Sequence, residues 1–457
     1  MSHYLRLGLV PLYLALCLML GGASAAGYWA NMVLQLLAIP LIFWALIVRR
    51  STPIPAEGRV LLGLLCLVLL LLGLHLLPLP PRIWSALPGR DRIVEGFGLL
   101  GQPLPWLSLS LAPRQTLASA LWLLPAIAVL LGIVKLGSFK SSWIAWALAA
   151  VTTLAVALGA LQVTGGAAGG WHLYKITNVG VNTGFFANAN HMATLMVVTI
   201  PFLAALYLSS RGRKQSAQKA SGTFVILVGA VGVIVVGIAI NRSLAGLGLA
   251  VPVAMATLLM LRTRKSRLPR WALPALAAVA AGSVAIAFSA PFQRYITVEE
   301  MRVSPESRYE FFAKTLAAAR AYMPLGSGVG TFQDIYPNYE AAADVSRVYV
   351  NHAHGDYFEL ALETGIPGLL LVLLFLLWWG RRAAKIWTAE DPDYFARAAT
   401  IASATILVHS LVDYPLRTAA IAALFAACCA LMAEPRPRTR RSLSEEPIGK
   451  ARHLSAD

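Results

Sequence analysis

Long apolar runs separated by short polar clusters dominate the chain. A helix needs about 20 such residues to cross a bilayer core, and about twelve runs approach or reach that length. They are Leu7–Gly22, Tyr28–Val48, Val60–Leu77, Thr116–Leu136, Ser142–Val163, His191–Ser209, Thr223–Ile240, Leu244–Leu261, Trp271–Ala290, Ile366–Trp379, Ala398–Val412 and Thr418–Met432, the last three being short. The pattern predicts an all-α polytopic membrane protein with about 12 transmembrane helices and one large outward loop between spans 9 and 10.

Composition agrees with this pattern. Hydrophobic residues fill 58% of 457 positions, charged residues only 13%, and the mean hydropathy is +0.67, far from the balance of a soluble globular domain. The net charge of +17 raises the question of nucleic acid, and the placement of the basic residues answers it. With the N-terminus inside, the inside connections hold Arg49, Arg50 and Arg59; Lys135 and Lys140; Arg211, Arg213, Lys214 and Lys219; Arg262, Arg264, Lys265, Arg267 and Arg270; and Arg381, Arg382 and Lys385, before a basic tail. Basic inside loops are how membrane proteins set their orientation, so the charge is topological, both termini are expected in the cytoplasm, and no nucleic-acid partner is expected. Cys17, Cys66, Cys428 and Cys429 all fall inside predicted spans, where they read as small packing residues rather than disulfide or metal partners. The first run ends in Ala23-Ser24-Ala25, which also suits a signal-peptidase site; a retained first helix is expected, and the topology is the same either way.

The outer segments carry the chemistry-bearing residues. Between Leu77 and Thr116 lie seven prolines together with Trp84 and Trp106, which rules out one continuous helix and suits aromatic side chains at the headgroup level. Thr164 to Asn190 is dense in glycine and asparagine; Asn188 and Asn190 either line a polar pocket or cap the sixth span. The turn Asn241-Arg242-Ser243 sets an arginine on the outer side, against the charge bias of the other loops, either for a ligand or to reach headgroups. In the large loop, Ser307 to Tyr322 spaces Phe311, Phe312, Leu316 and Ala319 as one face of an amphipathic helix, with Arg308 at its start. Helix N-termini and guanidinium groups both suit phosphate. Gly326-Ser327-Gly328-Val329-Gly330 then reads as a flexible turn.

The densest cluster is Asn351 to Gly368, NHAHGDYFELALETGIPG, directly before an apolar run. Asp356 followed by Glu359 predicts a helix start, and Gly365-Ile366-Pro367-Gly368 predicts a break before the tenth span. No second histidine cluster accompanies His352 and His354, since His172 and His191 are isolated, so no metal site is expected. A histidine general base and a structural loop histidine both remain open on the residues alone. Arg242, Arg308 and the histidines fall on the same outer face, and a base with two arginines is what transfer from a lipid diphosphate requires.

At these residues the chain resembles the O-antigen ligase and polysaccharide polymerase group of bacterial inner-membrane glycosyltransferases. The ligases carry His, then Asn, Ser or Gln, then nine residues, then GxxG; His354, Gly355, Gly365 and Gly368 follow that spacing and depart from it at Gly355. Gly184 to Asn190 is similar to the group's G-x-F-x-N-x-N stretch, Arg242 to its arginine in a short outer turn, and Arg308 through Pro324 and Gly326-Ser327-Gly328 to its R-to-P-x-G-x-G segment. Leu369-Leu370 stand where many ligases have threonines. The resemblance implies a GT-C-like membrane fold and an undecaprenyl-diphosphate-linked glycan donor. It also implies an acceptor that is a saccharide or lipid A, a periplasmic active site, and neither metal nor cofactor. It selects His354 as general base over His352, gives Arg242 and Arg308 the diphosphate, makes Asn188, Asn190 and His352 substrate-binding candidates, and leaves Asp356 to orient the histidine or cap the helix.

The expected layout is residues 1–290 with spans 1 to 9 and outer loops near 78–115 and 164–190, then a periplasmic loop over 291–364. Spans 10 to 12 occupy 365–432, and a disordered basic tail covers 433–457. A glycan or lipid flippase and a non-catalytic assembly subunit are the competing classes. Against the flippase, no Asp or Glu lies mid-span and no internal repeat is evident.

Overall fold

The computed structural model describes residues 3–24, 28–48, 53–166, 169–211, 217–262, 278, 282, 308–341 and 350–434. The described chain is all-α apart from one two-stranded hairpin. Its helices are α1 (His3–Leu20), α2 (Trp29–Ile47), α3 (Ala56–Leu76), α4 (Pro81–Trp84), α5 (Asp91–Leu99), α6 (Pro113–Trp122), α7 (Leu124–Val134), α8 (Ser141–Gly165), α9 (Ala189–Arg211), α10 (Ala217–Asn241) and α11 (Leu244–Arg262), followed by α12 (Arg308–Tyr322), α13 (Phe332–Ile335), α14 (Asp356–Thr388), α15 (Tyr394–His409) and α16 (Ala419–Ala433). Among the described residues eight helices are long and apolar enough to cross a membrane, counting α6 and α7 as one interrupted span. Every predicted span but the ninth coincides with a helix; Trp271–Ala290 lies outside the described residues except at positions 278 and 282, as do the tail from 435 onward and parts of the large loop.

Leu36, Ile39, Phe43 and Leu46 of α2, Leu67 and Leu70 of α3, and Val225, Ile226, Val235 and Val236 of α10 are all exposed. So broad an apolar surface has no place in water and suits hydrocarbon, which makes the chain a polytopic membrane protein. At the centre stands α9, of whose apolar stretch 78% is buried against 17% for α3 and 22% for α2. It packs on α8, α10, α11 and α15. Lipid tails offer no hydrophobic drive between helices, so buried hydroxyls take part in the contact: Thr152 Oγ1 and Thr199 Oγ1 are hydrogen-bonded at 2.8 Å.

Helix α14 runs 33 residues, which at 1.5 Å each would be about 50 Å, longer than the about 30 Å core. It is broken at Gly365 (φ 57, ψ −147), where a Cβ would sit 2.1 Å from the carbonyl oxygen of Pro324. Only glycine fits. The break divides α14 into a short stub, Asp356 to Thr364, and a long segment from Ile366 to Thr388 that carries the apolar run. A helix end leaves carbonyls without partners, and here the loop supplies donors, Ser327 N–H to Leu362 O (3.0 Å) and Gly328 N–H to Glu363 O (2.9 Å), while the Pro324 carbonyl accepts from Ile366 N–H (2.8 Å) at the start of the next segment. The Gly326 to Gly330 turn, expected to be flexible, is thus pinned to the stub. The tenth span is also longer than its apolar run, because the helix continues through Gly380-Arg381-Arg382.

Two further expectations change. In the proline-rich loop, Pro78–Leu79 pairs antiparallel with Leu107–Ser108, and Trp84 is fully buried with its indole N–H donating to Pro105 O at 2.8 Å; only Trp106 is exposed, so Trp84 does not sit at headgroup level. On α12, Phe311, Phe312, Ala318 and Ala319 are buried while Leu316 is 37% exposed, because the helix is gripped on one side by the stub of α14.

Candidate functional site

At one end of the bundle the turn between α15 and α16, Asp413-Tyr414-Pro415-Leu416-Arg417, enters a cluster of residues from distant segments. Asp413 is fully buried. Its Oδ2 accepts from Asn190 Nδ2 at 2.6 Å and its Oδ1 from Tyr414 N–H at 2.9 Å. Three imidazoles face it: His354 Nδ1 at 3.9 Å, His191 Nε2 at 3.8 Å and His409 Nε2 at 3.8 Å. His409 Nδ1 is bonded to Thr194 Oγ1 at 2.6 Å, so its ring is fixed by α9. Among the described residues no group of three His, Cys, Asp or Glu is arranged to hold a metal ion.

His354 stands at φ 51, in the left-handed region that L-residues other than Asn, Asp and His rarely enter. Its ring stacks on Phe311 (centroids 5.5 Å, 20°) and meets Tyr414 edge-on (5.2 Å, 73°). The side chain is 26% exposed, so one edge faces Asp413 while the ring still reaches the surface. His352 is held differently. Its Nδ1 faces Glu359 Oε1 at 2.9 Å and its Nε2 faces Ser24 O at 3.2 Å, both acceptors, so neither nitrogen is open to take a substrate proton. Its ring also lies against Tyr414, centroids 4.4 Å apart. The phenol of Tyr414 is pushed above its ordinary pKa by burial and by the Asp413 carboxylate, against hydrogen bonding from Asn351, Asn188 and Ser24.

Asn190 ties the arginine turn to this cluster. Its amide donates to Asp413 and its Oδ1 accepts from Ser243 Oγ at 2.7 Å, while Asn188 Oδ1 accepts the Asn190 N–H at 2.8 Å. Ser243 caps α11 by accepting from Gly246 N–H at 3.0 Å, and Asn241 donates to Asn182 O (2.6 Å) and Ala189 O (2.9 Å). Between these anchored neighbours Arg242 takes φ 59 with an exposed side chain. Arg308 opens α12, and Phe311, three residues on, is the ring that stacks on His354; the Arg308 side chain lies outside the described residues.

Asp356 does not face His354. Its Oδ2 accepts from Ser410 Oγ (2.7 Å) and Leu416 N–H (3.3 Å) and its Oδ1 is 3.6 Å from Arg417 Nε, while the N-cap position of α14 is Gly355. The carboxylate beside His354 is Asp413. Sequence reasoning passed over the 413–417 turn because it is short and lies between apolar runs. The signal was there: Arg417, like Arg242, is an arginine in a short turn between apolar helices.

Gly355 is explained by packing. The rings of Phe312 and Phe358 stack at 4.6 Å, and a Cβ on Gly355 would meet Phe358 at 2.9 Å and Phe312 at 3.0 Å. The amide or hydroxyl residue that the ligases carry next to the histidine has no room here.

Residues 229–373 match the family model described as O-antigen ligase. This stretch is similar to the O-antigen ligase family. It holds Arg242, Arg308, His352, His354 and Asp356, whereas Asn188, Asn190 and Asp413 lie outside the matched range. No curated protein matches the chain. The apolar helices make the chain a multi-pass membrane protein, and its similarity to O-antigen ligases covers residues 229–373.

Proposed function

We propose that the protein transfers a saccharide from an undecaprenyl-diphosphate-linked donor to an acceptor hydroxyl at the periplasmic face of the bacterial inner membrane, without metal or cofactor. The observation that carries this reading is the exposed-edge imidazole of His354 set 3.9 Å from the buried carboxylate of Asp413, within a chain similar to O-antigen ligases over residues 229–373. A carboxylate within 4 Å of Nδ1 stabilises the imidazolium by its charge, leaving Nε2 to act on substrate. His354 takes the proton of the acceptor hydroxyl as its oxygen attacks the anomeric carbon. The bond from that carbon to the diphosphate oxygen breaks, and the electron pair leaves with the diphosphate, whose charge Arg242 and Arg308 neutralise. Asn188, Asn190 and His352 order the surroundings of the base, and Asp356 acts in the packing beneath it.

Gly355 favours a polymerase, with a saccharide acceptor, over ligation to lipid A, because the residue type that marks the ligases is sterically displaced by the Phe312–Phe358 stack. A deletion strain separates the two: single repeats still joined to lipid A indicate a polymerase, and unattached full-length chains a ligase. In proteoliposomes with lipid-linked donor, His354→Ala abolishes transfer with the protein still in the membrane, and Arg242→Ala and Arg308→Ala weaken donor use more than acceptor use. Full activity of His354→Ala overturns the assignment.

A further inference from the structure

Below the site, one guanidinium meets three buried carboxylates. Arg417 Nη1 lies 3.0 Å from Glu359 Oε1, Nη2 2.9 Å from Glu363 Oε2 and Nε 3.6 Å from Asp356 Oδ1. The acids are 8%, 1% and 1% exposed for Asp356, Glu359 and Glu363, and their spacing of three and four residues lines them along one face of the α14 stub. Burial alone works against the charge on Arg417, and the three carboxylates more than offset it, so the guanidinium is held cationic. Each acid uses another oxygen on a different segment. Asp356 takes Ser410 and Leu416 N–H of the 410–416 turn; Glu363 Oε1 takes Gly330 N–H at 2.8 Å; Glu359 Oε2 takes Ala353 N–H at 2.9 Å while its Oε1 takes His352.

We propose that Arg417 is a positioning residue for transfer, holding the His354 ring in place through Glu359 and the backbone of residues 352–353. This rests on His354 being the base. The ion pairs of Arg417 run to Asp356, Glu359 and Glu363, so its effect on chemistry passes through these carboxylates. The residue it reaches is the one that needs holding. His354 has a left-handed backbone, and such a conformation persists only where its surroundings over-determine it. Ala353, directly before it, is fully buried, with its N–H on Glu359. Without the guanidinium, three acids would lie buried together with their charges uncompensated except by hydrogen bonds and His352, and the Glu359 carboxylate would give up its fixed place. Lysine cannot replace the fork, because an ammonium is a point charge that does not reach three separate carboxylates in one plane.

The test compares wild type, Arg417→Lys, Glu359→Gln and His354→Ala as full chains in proteoliposomes, measuring kcat and both KM values for glycan transfer, with detergent melting as a check of fold. Arg417→Lys and Glu359→Gln are expected to lower kcat by about 10- to 100-fold, the scale of an ångström-level misplacement of a catalytic group, with donor and acceptor KM within about twofold. Glu359→Gln is isosteric and keeps an acceptor for Ala353 N–H, so it carries the test if Arg417→Lys does not accumulate. Wild-type kcat in the folded variants overturns the proposal. So does a rise in donor KM at unchanged kcat, which assigns Arg417 to diphosphate binding. Full activity of His354→Ala sinks instead the reading of His354 as base, and is told apart by that variant alone.

Discussion

Replacing Asp413 by Asn removes one buried negative charge and almost no volume, so its effect is calculable. The carboxylate lies 3.9 Å from His354 Nδ1. At that separation and an effective dielectric of about 20, unit charges attract by about 4 kcal/mol. In the transition state the imidazole has gained about half of a proton's charge, so the loss is about 2 kcal/mol, or about 30-fold in kcat. A second effect acts on the fold. Asp413 accepts from both Asn190 Nδ2 and Tyr414 N–H, whereas an amide has one acceptor oxygen and sets its own NH2 against the other donor. One unsatisfied buried donor costs about 1 to 3 kcal/mol of stability. The assay is steady-state transfer in proteoliposomes, normalised to the folded fraction from detergent melting. Asp413→Asn is expected to lose about 30-fold in kcat after that normalisation, with both KM values little changed, since the carboxylate acts on the base rather than on bound donor. A kcat within about threefold of wild type would refute the role given to the Asp413–His354 pair.

Two further substitutions separate backbone from side-chain roles. Arg242→Gly relieves a left-handed residue that costs an L-amino acid about 1 to 2 kcal/mol, so the melting temperature is expected to hold or rise while donor KM increases; a lower melting temperature with unchanged donor use would refute this. Gly355→Gln is expected to lower the amount of folded protein because its Cβ meets the Phe312–Phe358 stack, and adding Phe358→Leu is expected to restore it. A double mutant no better than the single one would show that the stack is not what excludes a side chain there.

Much of this molecule is legible along one dimension. An apolar run of sufficient length has one low-energy state in a bilayer, a helix with its backbone groups satisfied internally, so the spans can be read from hydropathy alone. The break before the tenth span is equally local, because Gly365 and Pro367 act on their own dihedral angles and hydrogen bonds. Arg242 could be singled out because a cation at a membrane edge is conspicuous wherever it points. His354 and His352 were visible as a pair, but only spacing within a resembling family chose between them. Their hydrogen bonds give an independent reason for the same choice.

What burial decides is not written locally. Trp84 and Trp106 occupy the same kind of loop, yet one is enclosed and one is exposed, because the hairpin folds back over the first. Asp356 sits two residues from His354 and turns away from it, while Asp413 arrives from the turn between α15 and α16. Arg417 meets Glu363 across 54 residues and Asp413 meets Asn190 across 223. Hydropathy along the chain is enough for the helical membrane architecture, and the order of residues is enough to single out its histidines and turn arginines. The tertiary structure alone decided which carboxylate serves which histidine, because charge pairing in a buried site depends on distances of a few ångströms between segments that share no periodicity.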